Sequence, residues 1–212
     1  MSDQSGQPGA GEPRGGLLKW ALWGAALIGV AAVVYIMAQA STKPPPATVA
    51  AKAPADAHSV AKLLTHDADG SPPPDYVFHD ADGKAVKVSD LKGKVVVLNL
   101  WATWCGPCKL EMPTLAKLQA AYAGKPVAVV AVSIDKEEGL AAAKAFIAQN
   151  APLAFYNDAD AKMPWALKPP AAGMPTTVIY GKDGLERGRV SGDAEWATPA
   201  AQQVIDKILA EG

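Results

Sequence analysis

Lys94-Val95-Val96-Val97-Leu98-Asn99-Leu100-Trp101 runs, after Ala102 and Thr103, into Trp104-Cys105-Gly106-Pro107-Cys108. The first stretch is almost continuously apolar and rich in β-branched residues, which is the pattern of a central strand covered on both faces. A helix is expected next, from about Cys105 to Ala123, with Leu110, Leu115, Leu118 and Tyr122 as its apolar positions and Pro113 bending it. Pro107 suits the first turn, where its missing N–H removes no intrahelical bond, and Gly106 lets another chain's backbone approach closely. A buried strand therefore delivers two cysteines to a helix N-terminus.

That position carries the chemistry. The unpaired N–H groups and positive dipole end of a helix start stabilise thiolate over thiol. Cys105 is expected to be the nucleophile, and Cys108, one turn inward, the thiol that resolves a mixed disulfide. The chain holds only 2 Cys and 3 His, so nothing completes a four-ligand zinc site or a structural disulfide framework, and Lys109 stands where haem attachment would need His. No metal and no cofactor are expected. Trp104 reads as a cover on one side of the thiol pair, and Trp101 as a core residue.

Working outward, 76–79 and 85–88 flank a Gly-containing loop and read as an N-terminal β-hairpin. A second buried strand is expected over 126–133 and an amphipathic helix over 136–149. Residues 174–180 and 186–190 read as two strands joined at 181–184, with a helix over 197–210 closing the chain. The fold class is α/β, a central mixed sheet flanked by helices on both faces.

Toward the N-terminus, Trp20 to Ala38 contains no charged residue and is long enough to cross a bilayer as a helix. Arg14 and Lys19 precede it, which places residues 1–19 in the cytoplasm and the chain after Ala38 outside. The alternative is a signal peptide cut after Ala40, since Ala38-Gln39-Ala40 is a small-x-small site; either reading exports the domain. Residues 39–71, rich in Pro and Ala, read as a flexible linker in which His58 and His66 are solvated, and 72–212 as the globular domain. With 20 Lys and Arg against 21 Asp and Glu, no basic field exists to hold nucleic acid.

WATWCGPCKLEMPTL, together with Gly173-Met174-Pro175-Thr176-Thr177, resembles the thioredoxin superfamily, and most closely its membrane-tethered TlpA-like and ResA-like branch. Gly192-Asp193-Ala194-Glu195-Trp196 also looks TlpA-like. The resemblance spans about 72–212 and implies a thioredoxin-like fold in the periplasm, anchored in the inner membrane. It implies that Pro175 is a cis-proline beside the active-site disulfide and that the backbone of Met174 pairs with a client strand. Thr176 joins them in the client-binding surface, with Trp104, Gly106 and Pro107. Asn99 stands where ordinary thioredoxins carry a buried aspartate, so proton handling passes to Glu111, which matches the ResA-like acid; an exposed helix carboxylate is the alternative reading. The 156–172 stretch, with Trp165, either shapes client choice or packs.

The resemblance also implies a protein-disulfide reductase kept reduced by a DsbD-like or CcdA-like membrane donor. Its implied clients are apocytochrome c or a copper-delivery protein for cytochrome oxidase. A disulfide oxidase or isomerase, and a Cu(I)-binding metallochaperone using both thiolates, are the alternatives.

Overall fold

The structure is a computed structural model that describes Tyr35 and residues 58–211. The expected cytoplasmic tail and the linker up to residue 57 lie outside the described residues, as does the expected anchor apart from Tyr35. Among the described residues, no helix is long and apolar enough to cross a membrane.

The elements, in chain order, are α1 (Val60–Leu63), β1 (Phe78–Asp80), β2 (Ala85–Val86), β3 (Val95–Trp101), α2 (Gly106–Ala121), β4 (Val127–Ser133), α3 (Leu140–Ala148), β5 (Tyr156–Asn157), α4 (Met163–Ala166), β6 (Thr176–Tyr180), β7 (Glu186–Ser191) and α5 (Pro199–Ala210). The seven strands form one mixed sheet in the order β2-β1-β5-β4-β3-β6-β7. β3 is its spine, with parallel β4 on one side and antiparallel β6 on the other. All seven residues of β3 are buried, as its unbroken apolar run requires.

The expected hairpin forms between β1 and β2, with Asp80 Oδ1 accepting from the N–H groups of Asp82 and Lys84 at 3.0 and 2.9 Å. Helices lie on both faces, unequally: α2, α3 and α5 all contribute to one core cluster, through Met112 and Leu115, Ala143 and Ile147, and Ala201 and Ile205. The reason is topological. β3, β4 and β5 are neighbours and run parallel, so two right-handed crossovers in the same direction put α2 and α3 on the same face. The other face is closed by Val88, by Met163 of the single-turn α4 and by Leu167.

The linker boundary is corrected. Residues 58–71 are built into the domain, which therefore starts before residue 72. Val60 is fully buried, Ser59 bridges Glu195, and Thr65 bridges Arg189, exchanging N–H···O bonds of 2.8 and 2.9 Å with its backbone. The apolar residues Val60, Leu63 and Leu64, set in an Ala-rich stretch, pack on the α2/α5 side of the sheet. Gly188, at φ 150, makes room for this segment: a Cβ there would meet Leu64 Cδ1 at 2.8 Å. His58, expected to be solvated, is half-buried with Nδ1 3.0 Å from Asp193 Oδ2, whereas His66 is exposed beside Asp69.

Candidate active site

β3 ends at Trp101, and the chain turns through Ala102 to Trp104 before α2 begins. Cys105 caps α2: its Sγ accepts the Cys108 N–H at 3.3 Å, and Pro107 lies in the first turn. The two cysteines are joined as a disulfide with Cα atoms 5.3 Å apart. Cys105 retains 6 % of its surface, and Cys108 none. Gly106 and Pro107 are exposed beside the pair, and Trp104 is 68 % exposed. Trp101 is fully buried and packs on Phe146, with ring centroids 5.4 Å apart.

Glu111 lies one turn beyond Cys108 along α2 and shares its face of the helix. It is buried, which removes the reading of an exposed helix carboxylate. Its Oε1 accepts from Asn99 Nδ2 of β3 at 2.7 Å. Its Oε2 accepts from the Ala194 N–H at 3.1 Å and from Trp196 Nε1 at 3.3 Å. Burial pushes the Glu111 carboxyl up to about 7, against these three hydrogen bonds, which pull it down, while the nearby Asp193 charge adds to the rise. The group therefore exchanges its proton near neutrality, which is what a general base at this position needs. Asn99 also donates to Thr177 Oγ1 of β6 at 2.9 Å. Its amide is thus locked between acid and sheet, with Oδ1 buried and unpartnered. Sequence reasoning passed over Thr177 and gave Ala194 and Trp196 no role.

The Met174–Pro175 bond is cis, as the resemblance implied, and so are two other X–Pro bonds. Met174 is half-buried at the junction of both core clusters. Thr176 is fully buried and donates from Oγ1 to Gly173 O at 2.7 Å. Trp165, of uncertain role from sequence, is 74 % exposed, so its ring does not serve as core. Beside Trp104 opens a cavity of about 300 Å³ whose lining includes Thr103, Ile134, Asp135 and Lys136. Asp135 is buried and fixes this wall by accepting from the Thr103 N–H and Oγ1 at 2.9 and 2.7 Å. His79 lies on β1, separated from β3 by β5 and β4, so it is not brought to the cysteines. Among the described residues, no group of three or more His, Cys, Asp or Glu could hold a metal ion.

A disulfide-bonded cysteine pair of unequal access at a helix N-terminus is the arrangement of dithiol–disulfide exchange. Residues 68–205 match the family described as Redoxin. The thiol-disulfide oxidoreductase ResA of Bacillus cereus is 34 % identical over 127 residues, covering 58 % of this chain and 70 % of that protein. A crystal structure described as a thiol:disulfide interchange protein DsbE, from Chlorobium tepidum, is 33 % identical with a TM-score of 0.58, covering 66 % of this chain and 97 % of that one. A solution structure described as that of a thioredoxin, from Neisseria meningitidis, is 28 % identical with a TM-score of 0.56, covering 69 % of this chain and 93 % of that one. The chain belongs to the Redoxin family of the thioredoxin superfamily and is a ResA-like protein-disulfide oxidoreductase.

Proposed function

We propose that this oxidoreductase works as a reductase of client disulfides outside the inner membrane, tethered by residues 20–38. Cys105 thiolate attacks one sulfur of the client disulfide, forming a Cys105–client bond and expelling the other client sulfur as thiolate. Cys108, losing its proton to Glu111, then attacks Cys105 Sγ; the second client thiolate leaves, and the Cys105–Cys108 disulfide of the present structure remains. Two electrons have passed to the client. A membrane dithiol donor of DsbD or CcdA type returns them by the same exchange in reverse. Trp104, Gly106 and Pro107, with the half-buried Met174, form the client surface around Cys105, whereas Pro175 and Thr176, expected to join it, are buried and present no side chain to a client.

The observation that carries this reading is the buried Glu111 one turn along α2 from the fully buried Cys108, because reduction of a client is completed only when the resolving thiol loses a proton. Clients of the apocytochrome c or copper-delivery type fit, since their thiols must be reduced before haem or metal is received. The direction is tested by equilibrating the protein against glutathione couples. A potential near that of thioredoxin, about −270 mV, together with reduction of insulin disulfides, supports the proposal; one near that of a periplasmic oxidant, about −120 mV, assigns an oxidase instead.

A further inference from the structure

Glu111 is gripped from inside by Asn99 and from outside by the loop that carries Ala194 and Trp196. That loop is itself held from behind. The Glu195 N–H donates to His58 O at 2.8 Å, Ser59 bridges Glu195, and His58 Nδ1 lies 3.0 Å from Asp193 Oδ2 and 3.3 Å from Asp193 O. Two residues on, Val60 is fully buried in the cluster that contains Ala194, Trp196 and Cys108. We propose that His58, Ser59 and Val60 are positioning residues for the acid site, a clamp that presses the 193–196 loop onto Glu111 and keeps water from the carboxylate.

The groups around Glu111, in contact or one partner removed, come from β3 with β6 behind it, the loop and the clamp. β3 supplies Asn99, with Thr177 of β6 behind it. The loop supplies the Ala194 N–H and the Trp196 indole, and with them the Asp193 charge. The clamp supplies His58 against Asp193. Of these, the loop is the irregular layer, lying between β7 and α5, so an anchor outside it controls how tightly it seats. Trp196 gains a further hold from its backbone N–H, which donates to Thr114 Oγ1 at 3.1 Å and pins that end of the loop while leaving 193–195 to the clamp.

Opening the clamp has two opposed effects on Glu111. Losing the Ala194 and Trp196 donors disfavours the carboxylate, while admitting water favours it. Burial is the largest of the influences on this group, so hydration wins and the acid becomes stronger. The consequence for catalysis rests on the reading of Glu111 as the proton acceptor of Cys108; the clamping itself does not.

The test uses the full-length oxidised protein, wild type against the double variant His58→Ala/Val60→Ala, with Val204→Ala on α5 as a control that truncates a valine of the same cluster elsewhere. The Glu111 carboxyl is titrated by its ¹³C shift, and the exchange rate of the Ala194 amide is read alongside. The double variant is expected to speed Ala194 exchange about tenfold or more and to lower the proton affinity of Glu111 about tenfold, one pH unit in midpoint, with the control matching wild type. An unchanged Ala194 exchange rate, an unchanged midpoint, or an equal change in the control overturns the proposal. A separate measurement isolates the underlying reading. If Glu111→Gln leaves the pH profile of client reduction unmoved, the proton-acceptor role falls while the clamp result stands.

Discussion

Replacing Glu111 by Gln tests the acid through stability as well as rate. The substitution keeps the shape of the side chain. Its oxygen can take the place of Oε2 and accept from Ala194 N and Trp196 Nε1, and its amide can face Asn99, whose free Oδ1 becomes the acceptor once that amide rotates. The variant should therefore fold. Burial raises the Glu111 carboxyl from 4.5 to about 7. At about 1.4 kcal/mol per tenfold change in proton affinity, that rise amounts to roughly 3 kcal/mol. The sign follows from linkage: a folded-state affinity above that of the unfolded chain contributes stability that is fully present below pH 4.5 and is lost as pH rises through about 7. Urea unfolding of the oxidised proteins across pH 4 to 8.5 should show wild type losing about 3 kcal/mol relative to Glu111→Gln over that window. In the reduced proteins, the resolving step should slow on the order of 100-fold at neutral pH and lose its inflection near 7 in the variant. Parallel stability curves would refute the buried-acid argument, and an unchanged inflection would refute its role in proton transfer.

Trp196→Phe removes one of the two donors to Glu111 Oε2, so the inflection in the rate–pH profile should move to higher pH; a shift to lower pH, or none, would count against the hydrogen-bond account. Arg189→Met leaves Glu186 buried without the guanidinium that donates to it at 3.1 and 3.0 Å, which should cost about 3–5 kcal/mol, while the double variant with Glu186→Met should recover most of that loss. Thermal unfolding of both variants checks it. Cys105→Ser should abolish insulin reduction outright, since Cys108 has no exposed surface from which to attack a client.

The part of the fold legible in sequence was the part written in consecutive residues. β3 is an unbroken apolar run, the cysteines follow at once, and Pro107 marks the helix start, so strand, dithiol and helix could be read from one stretch. What escaped was either too short or too distant. β5 has two residues, fewer than any periodicity needs, yet it completes the second parallel crossover and so decides which face α3 covers. α1 has one turn and sits in Ala- and Pro-rich sequence that reads as linker; only the contacts of Val60 and Leu64 reveal it as part of the domain. Glu111 was legible as an acid three residues from Cys108, but its environment was not. Its partners Ala194 and Trp196 lie 83 and 85 residues away, and no spacing rule connects a helix carboxylate to an indole and a backbone amide in a late loop. Asn99 was recognised as unable to ionise; its role as a fixed donor to the acid needed the register between β3 and β6.

The two cysteines are unequal, the one at the helix cap keeping some exposed surface and the one a turn further on keeping none. The most direct measurement is trapping with full-length Cys108→Ser, offered an oxidised client and analysed by mass spectrometry under non-reducing conditions. A stable mixed disulfide on Cys105, absent in Cys105→Ser, is the predicted result. A mixed disulfide on Cys108 in the Cys105→Ser protein, or none on either cysteine, would contradict it.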